Sequence, residues 1–232
     1  MSDLTLPGRM KTSRVLRGIA LALAGVGLLA GVSVASMHIV GLVYYVPRLD
    51  RLFSRLHRDP VLIEALRRQN AALAGKDQAW ALARDRQWNA ERIRGGGPLQ
   101  GAFTNRPASL HLRGIVAASG GLVTHAFLID AEGRLAAAPF LSYNFWQFDK
   151  PKFHYTFPLG AGARDVSWLE MSWDGTHPVC WRAETMMDPL TNATIGVLAL
   201  EINYLEVGRF GCIEQPVHTP EERVTNRVKA NG

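Results

Sequence analysis

The longest apolar stretch of the chain runs from residue 18 to residue 46 and contains no Asp, Glu, Lys or Arg. An α-helix needs roughly 20 apolar residues to cross a bilayer, so this stretch predicts one transmembrane helix. Tyr44 and Tyr45 lie near its far end, where aromatic rings suit the headgroup region, and Pro47 is expected to end or bend the helix. A cleaved signal peptide with its site at Ser33-Val34-Ala35 is the alternative, but the apolar run continues well beyond Ala35, which favours a retained anchor.

The region that follows, residues 48–94, has the apolar spacing of helices. A short amphipathic helix is predicted from four apolar positions spaced i, i+3, i+4 and i+7: Leu49, Leu52, Phe53 and Leu56. Asp59-Pro60 has the form of a helix N-cap followed by its first residue, and this second helix should end at Gly75. A third helix is predicted from Asp77 to Arg94, before the glycines at 95–97, which we interpret as the main hinge or boundary.

Beyond this boundary the pattern changes to short runs separated by turn residues, which is typical of strands. Residues 115–118 form one such short run. The five predicted strands are Thr124–Asp130, Leu135–Ala138, Val166–Trp173, Pro178–Met187 and Thr194–Ile202. Helices followed by strands predict an α+β fold, with an antiparallel sheet domain over residues 98–208 and a polar tail over 209–232.

Charge is distributed unevenly along the 232 residues. The net charge of +6 is the balance of +3 in residues 1–17, +5 in residues 48–94 and −2 in residues 95–232. The basic excess therefore flanks the apolar run, which favours membrane lipid as a partner and, in the absence of a recognised motif, argues against nucleic acid. Four basic residues stand close to each end of the run, so charge alone does not set the orientation. A content of 47% apolar residues excludes disordered and collagen-like classes.

Small residues recur every four positions within the predicted membrane helix. Gly27, Gly31 and Ala35 would line one face and let a second helix approach closely. This pattern predicts at least one membrane protein partner, and a second copy of the chain would also serve. The alternative is that Gly and Ala are simply common in membrane helices.

Three segments resemble the Cache, or PDC-like, extracytoplasmic sensor domain. They are residues 127–134 (FLIDAEGR), residues 142–153 (SYNFWQFDKPKF) and residues 195–202 (IGVLALEI). The resemblance covers about residues 48–208 and implies a long helix leading into a PAS-like antiparallel sheet of five strands. It also implies a single-pass protein of the bacterial inner membrane, with residues 1–17 in the cytoplasm and the sheet domain in the periplasm.

The chain departs from this family in three respects. Signalling members usually continue into a second membrane helix and an output module, whereas this chain stops soon after its last strand. The Arg-x-Trp-Tyr pattern of the amino-acid-binding members is absent, and Phe148-Asp149-Lys150 replaces a common Gly-Asp-Glu. The resemblance therefore does not carry over the identity of a ligand.

In PAS-like folds the loop around Trp146 closes over the sheet, so its aromatic and polar residues are candidates for a small-molecule site. The candidate ligand-binding residues are Trp146, Gln147, Asp149, Lys152 and Tyr155, with Trp173 and Asp174 from the neighbouring hairpin. The alternative is a loop that only packs against the sheet, with Asp149 and Lys152 joined in a local ion pair.

Other chemistry is weakly indicated. Cys180 and Cys212 are the only cysteines and could form a disulfide in an oxidising periplasm, or remain two buried thiols. The spacing of His125, His154 and His177 matches no metal motif. The chain has no nucleophile elbow, P-loop or dinucleotide fingerprint, so we predict no enzyme, no cofactor and no metal.

Two functions follow from this pattern. The first is a membrane-anchored periplasmic sensor or ligand-binding protein that acts through a partner. The second is a non-catalytic accessory subunit of a larger membrane complex. A sensor requires a concave, partly polar pocket beneath the Trp146 loop, whereas an accessory subunit would have that space filled and an exposed apolar patch instead.

Overall fold

A computed structural model describes residues 44–141, 144–167, 169–172 and 174–212. The helices are α1 (Val46–Leu56), α2 (Pro60–Ala72), α3 (Gln78–Ile93), α4 (Pro98–Thr104), α5 (Pro107–Ala118), α6 (Pro151–His154) and α7 (Tyr204–Gly211). The strands are β1 (Val123–Asp130), β2 (Leu135–Ala137), β3 (Arg164–Val166), β4 (Glu170–Met171), β5 (Pro178–Met187) and β6 (Thr194–Asn203).

The three helices predicted over residues 48–94 are confirmed. The Asp59 side chain accepts a hydrogen bond from the Val61 N–H at 2.9 Å, and Asp77 accepts one from the Trp80 N–H at 2.9 Å. Each carboxylate thus caps the free N–H groups of a first helical turn. Pro47 lies in the first turn of α1, a position that tolerates proline because the missing N–H has no partner there.

Four helices, α4 to α7, were not predicted. The interpretation of residues 115–118 as a strand-like run is wrong, because these residues form the last turn of α5. The glycines at 95–97 lead directly into α4, whose first turn is capped by Glu91: its carboxylate accepts the N–H of Leu99 at 3.2 Å and that of Gln100 at 2.9 Å. This boundary is therefore a capped helix–helix turn.

The predicted antiparallel sheet is confirmed, with the strand order β2-β1-β6-β5-β3 and β4 also paired with β5. The predicted strand Val166–Trp173 is wrong as a single element. Its first residue ends β3, and β4 begins only at Glu170. The described sheet consequently has six strands instead of five.

The sheet separates two cores. On one face, α1, α2 and α5 pack their apolar stripes against the strands, as Leu49, Leu66 and Leu112 illustrate. On the other face, an aromatic core forms around Trp88, which is fully buried with its ring centroid 5.2 Å from that of Phe103. This second core covers only part of its face.

Several predicted features lie outside the described residues. These are the tail 1–17, nearly all of the membrane helix 18–46 with Gly27, Gly31 and Ala35, and the chain after 212. Across the described ranges, no helix has the length and apolarity to cross a membrane. The predicted start of the tail at 209 falls within α7, which continues to Gly211.

Candidate functional site

A row of three side chains crosses the sheet where the aromatic core ends. His125 of β1 stands opposite Glu201 of β6, and Glu201 stands opposite Trp181 of β5. Directly opposed residues of an antiparallel pair have Cβ atoms about 5 Å apart, so the three form a continuous floor. Phe127 extends this floor, because its ring stacks on that of Trp181 at 4.8 Å between centroids.

Two adjoining cavities lie above this floor. The smaller has a volume of about 240 Å³ and is walled by α6, β4 and the loop that contains Gln147. The larger, of about 700 Å³, is bounded by α4, Arg113 of α5, the segment after β2 and the hairpin between β4 and β5. His125, Leu141 and Glu201 line both cavities. Aromatic walls with a few fixed polar groups are typical of small-molecule sites.

Lys152 places its ammonium group on the aromatic floor of the smaller cavity. Its Nζ lies 4.0 Å from the ring centroid of Trp181 and 5.0 Å from that of Phe127. Burial lowers the pKa of Lys152 to about 8, although Glu170 and Glu201 partly oppose this effect. No carboxylate of the described residues lies within ion-pair distance of this ammonium, so cation–π contacts hold it.

Glu201 is the acidic group of the floor and is only 6% exposed. The Thr124 hydroxyl donates a hydrogen bond to its carboxylate at 2.7 Å. Burial raises the pKa of Glu201, while this hydrogen bond and the charge of Lys152 act in the opposite direction. Lys152 and Glu201 thus place a cation and a carboxylate in the lining of the same smaller cavity.

Two buried polar atoms around the larger cavity make no hydrogen bond with any described residue: Gln100 Oε1 and His177 Nε2. His125 Nδ1 lies 2.8 Å from the Ala126 nitrogen and 3.2 Å from the Ala126 carbonyl oxygen. Burial lowers the pKa of His125 to about 4, so the ring is neutral at pH 7 and offers a donor. Buried polar groups are nearly always paired, so this cluster suits a polar ligand.

Two anchored segments shape the larger cavity. The Arg113 guanidinium donates to the Pro139 carbonyl from Nε at 3.1 Å and from Nη2 at 2.9 Å, which fixes the segment after β2. Asp174 holds the opposite hairpin, because its Oδ1 accepts the Ser172 hydroxyl at 2.6 Å and the Thr176 hydroxyl at 2.7 Å. These hydrogen bonds lower the pKa of Asp174 to about 2.

The structure distributes the seven sequence-predicted site residues among several places. Gln147 and Lys152 line the smaller cavity and Asp174 lines the larger one. Tyr155 lines neither, and its ring packs edge-on against His154 at 5.1 Å. Trp173 lies outside the described residues.

Trp146 and Asp149 also lie away from the two cavities. The segment around Trp146 pairs with residues after β1, since Gln147 N–H donates to the Gly133 carbonyl at 2.6 Å. Successive residues of an extended segment face opposite sides, so Trp146 turns from the cavity and stacks on Phe148 at 5.6 Å. Asp149 is exposed and pairs with Lys150 at 3.1 Å, so the alternative Asp149–Lys152 ion pair is wrong.

Gly133 permits this pairing. Its φ of +73° belongs to the left-handed region, and a Cβ there would come within 2.6 Å of the Phe148 Cα. Only glycine combines this conformation with so close a backbone approach. The loop that supplies Gln147 is thereby held against the sheet.

Cys180 and Cys212 form a disulfide bond that ties the end of α7 to β5. Within the described part of the chain, no three His, Cys, Asp or Glu side chains are placed to hold a metal ion. His125, Gln100, Arg113 and Glu201 were not predicted as site residues. The sequence did contain an indication that Glu201 is a site residue, since it is the one charged residue of its strand.

No protein-family model matches the chain, and a search of curated proteins finds no match. Among solved structures, the sensor domain of the V. cholerae histidine kinase DctB matches with 15% identity and a TM-score of 0.43, covering 84% of this chain and 61% of that one. The ligand-binding domain of the Campylobacter jejuni chemoreceptor Tlp3, in complex with L-valine, matches with 13% identity and a TM-score of 0.33 over 68% and 64%.

These structures are sensor domains of the kind that the sequence resemblance predicted. The chain spans about three fifths of their length.

Proposed function

We propose that this chain is a non-catalytic sensor that binds a small polar molecule in the two adjoining cavities. The observation that carries the proposal is the pair of buried, unpartnered polar atoms of Gln100 and His177 around the larger cavity. Leaving such groups unsatisfied costs about 1–3 kcal/mol each, and a ligand that pairs with them would recover part of that free energy.

The open space beneath the loop supports a sensor over an accessory subunit. An accessory subunit would have that space filled by side chains, whereas Gln147 and Lys152 border a cavity. The oppositely charged Lys152 and Glu201 on its floor favour a ligand that carries both donors and acceptors.

Ligand binding can be tested by thermal melts of the full chain in neutral detergent against a panel of small polar metabolites. A binder should raise the melting temperature of the parent, and Glu201→Gln should remove most of this rise because it removes the carboxylate of the floor. Glu64→Gln is the matched control, since Glu64 pairs with exposed Arg68 on α2 and lines neither cavity. A rise that survives Glu201→Gln, or no rise with any compound, would contradict the proposal.

We also propose that the domain acts from the periplasmic side of the bacterial inner membrane, through the predicted helix at 18–46. Cysteines introduced at Thr219 and at Ser2 test the orientation. A reagent that cannot cross the inner membrane should label Thr219→Cys and leave Ser2→Cys unlabelled. The reverse pattern would refute this topology.

The partner should contact the small-residue face of that helix. Gly27→Leu combined with Gly31→Leu should weaken co-purification of the partner, because each larger side chain pushes the two backbones apart. Ala22→Leu with Gly25→Leu adds the same bulk to the other side of the helix and serves as the control. Equal recovery of the partner from both double variants would count against a specific face.

A further inference from the structure

A third cavity lies at the opposite side of the fold from the aromatic core, between α1 and the corner where α5 meets β1. Its volume is about 450 Å³. Its lining residues are Arg48, Arg51, Leu52, Arg55, Ile115, Ala118, Ser119 and Leu122. The proposed sensor site does not include any of them.

Three arginines form one wall of this cavity. Arg48, Arg51 and Arg55 are spaced i, i+3 and i+7, which places them on one face of α1. Arg51 and Arg55 are exposed and form no ion pair with a described carboxylate. Arg48 lies over the Tyr44 ring at 5.0 Å. Their positive charge therefore remains available to an anion.

Among the described residues, no acidic side chain lines the cavity. Asp50 is the only acidic residue of α1, and its carboxylate is bound to Arg182 of β5 at 2.6 Å, on the other flank of the helix. The hydroxyl of Ser119, the one neutral polar side chain of the lining, already donates to the Val116 carbonyl at 2.7 Å. The polar chemistry of the cavity is therefore that of three guanidinium groups.

The opposite wall is apolar. Leu52, Ile115, Ala118 and Leu122 provide it, so the cavity pairs a cationic wall with a hydrocarbon surface. Guanidinium groups bind phosphate oxygens through paired, charge-assisted hydrogen bonds. An apolar wall beside them suits the glycerol and first acyl carbons of a lipid.

We infer that this cavity binds an anionic phosphodiester, as carried by an acidic phospholipid headgroup. α1 begins at residue 46, directly after the uncharged run, so the cavity would stand at the level of the headgroups if that run crosses a bilayer. Basic pockets beside membrane helices are known to take such headgroups. This inference rests on the proposed membrane helix at 18–46, and it does not depend on the proposed ligand site.

The full chain in neutral detergent can be titrated with dioleoylphosphatidylglycerol or dioleoylphosphatidylcholine, with bound lipid counted by native mass spectrometry. The parent should bind the phosphatidylglycerol about tenfold more tightly, because the choline cation is repelled by the three arginines. Arg51→Gln combined with Arg55→Gln should lose about tenfold in affinity for it.

Arg86→Gln combined with Arg94→Gln is the matched control, since it removes two exposed charges from α3 and its C-cap and should change the affinity less than about twofold. Equal loss in both double variants, or equal affinity for the two lipids, would overturn the inference. Inorganic phosphate then separates the sources. Displacement of the lipid by phosphate at millimolar concentration assigns the site to free phosphate as well, and no displacement assigns it to the lipid alone.

Discussion

Replacing Lys152 with methionine should stabilise the protein while removing a charge from the candidate site. The Lys152 ammonium is buried on the rings of Trp181 and Phe127 without a carboxylate partner among the described residues. Methionine keeps most of the apolar stem and removes the charge. The variant therefore separates what the fold needs at this position from what a ligand would need.

The size of the effect follows from the pKa. Burial lowers the pKa of Lys152 from 10.5 to about 8, and each pKa unit corresponds to about 1.4 kcal/mol, so the charge costs about 3 kcal/mol. We expect Lys152→Met to raise the free energy of unfolding at pH 7 by about 3 kcal/mol, or the melting temperature by about 6–12 °C.

The stability difference between Lys152→Met and the parent should change with pH in one direction only. Between pH 8 and pH 10.5 the unfolded chain binds the Lys152 proton more tightly than the folded chain, so the parent becomes more stable as the pH rises through this window. Both states have lost the proton above it. The advantage of Lys152→Met over the parent should therefore be full below pH 8 and nearly absent above pH 10.5.

Urea denaturation of the full chain at a series of pH values from 7 to 11 measures this difference. Lys76→Met is the control, because Lys76 is exposed, and it should follow the parent at every pH. A difference between Lys152→Met and the parent that does not change with pH, or a less stable variant, would refute the reasoning.

Three further predictions concern the fold around the site. Gly196→Ala should destabilise by about 1–3 kcal/mol in urea denaturation, because a Cβ would collide with the Ile129 carbonyl oxygen. Gly114→Ala is the control, since a Cβ there meets open space in α5 and should not destabilise. Cys180→Ser opens a disulfide that spans 32 residues and should cost about 3–4 kcal/mol in the same assay. The pKa of Asp188 is held well below its usual range by its hydrogen-bonded arginine partner on α2, so Asp188→Asn should lose less stability than the parent as the pH falls from 5 to 2.

Local signals account for the parts of the fold that could be predicted. The carboxylates of Asp59 and Asp77 mark helix starts through bonds within three residues, and such contacts are readable from spacing alone. The same logic was available at Pro107, which begins α5, but the short apolar run at 115–118 has the length of a strand as well as of a helical turn. Helix and strand are not distinguished by periodicity over so few residues.

Non-local pairing accounts for what could not be predicted in the site. His125 and Glu201 are 76 positions apart and become neighbours only through the register of β1 against β6. Lys152 could be proposed from its motif, but its place on the ring of Trp181 depends on how α6 docks on β5. Trp146 was predicted to be a site residue and is not one. A shift of one residue in the pairing of its segment decides which side of the loop the ring faces, and its motif does not reveal this register.

β5 connects the floor of the candidate site to the helix nearest the predicted membrane segment. Trp181 and Arg182 are consecutive residues of this strand and so face opposite sides of the sheet. Trp181 borders the smaller cavity, whereas the Arg182 guanidinium lies 4.5 Å from the Phe53 ring of α1 and is bound to Asp50. A ligand can shift α1 through this connection only if it binds two arrangements of β5 with different affinities. Arg182→Met should then leave ligand affinity nearly intact and abolish any ligand-dependent change at α1, which a spin label at exposed Ser54 would report; a ligand-dependent signal that persists in Arg182→Met would place the connection elsewhere in the fold.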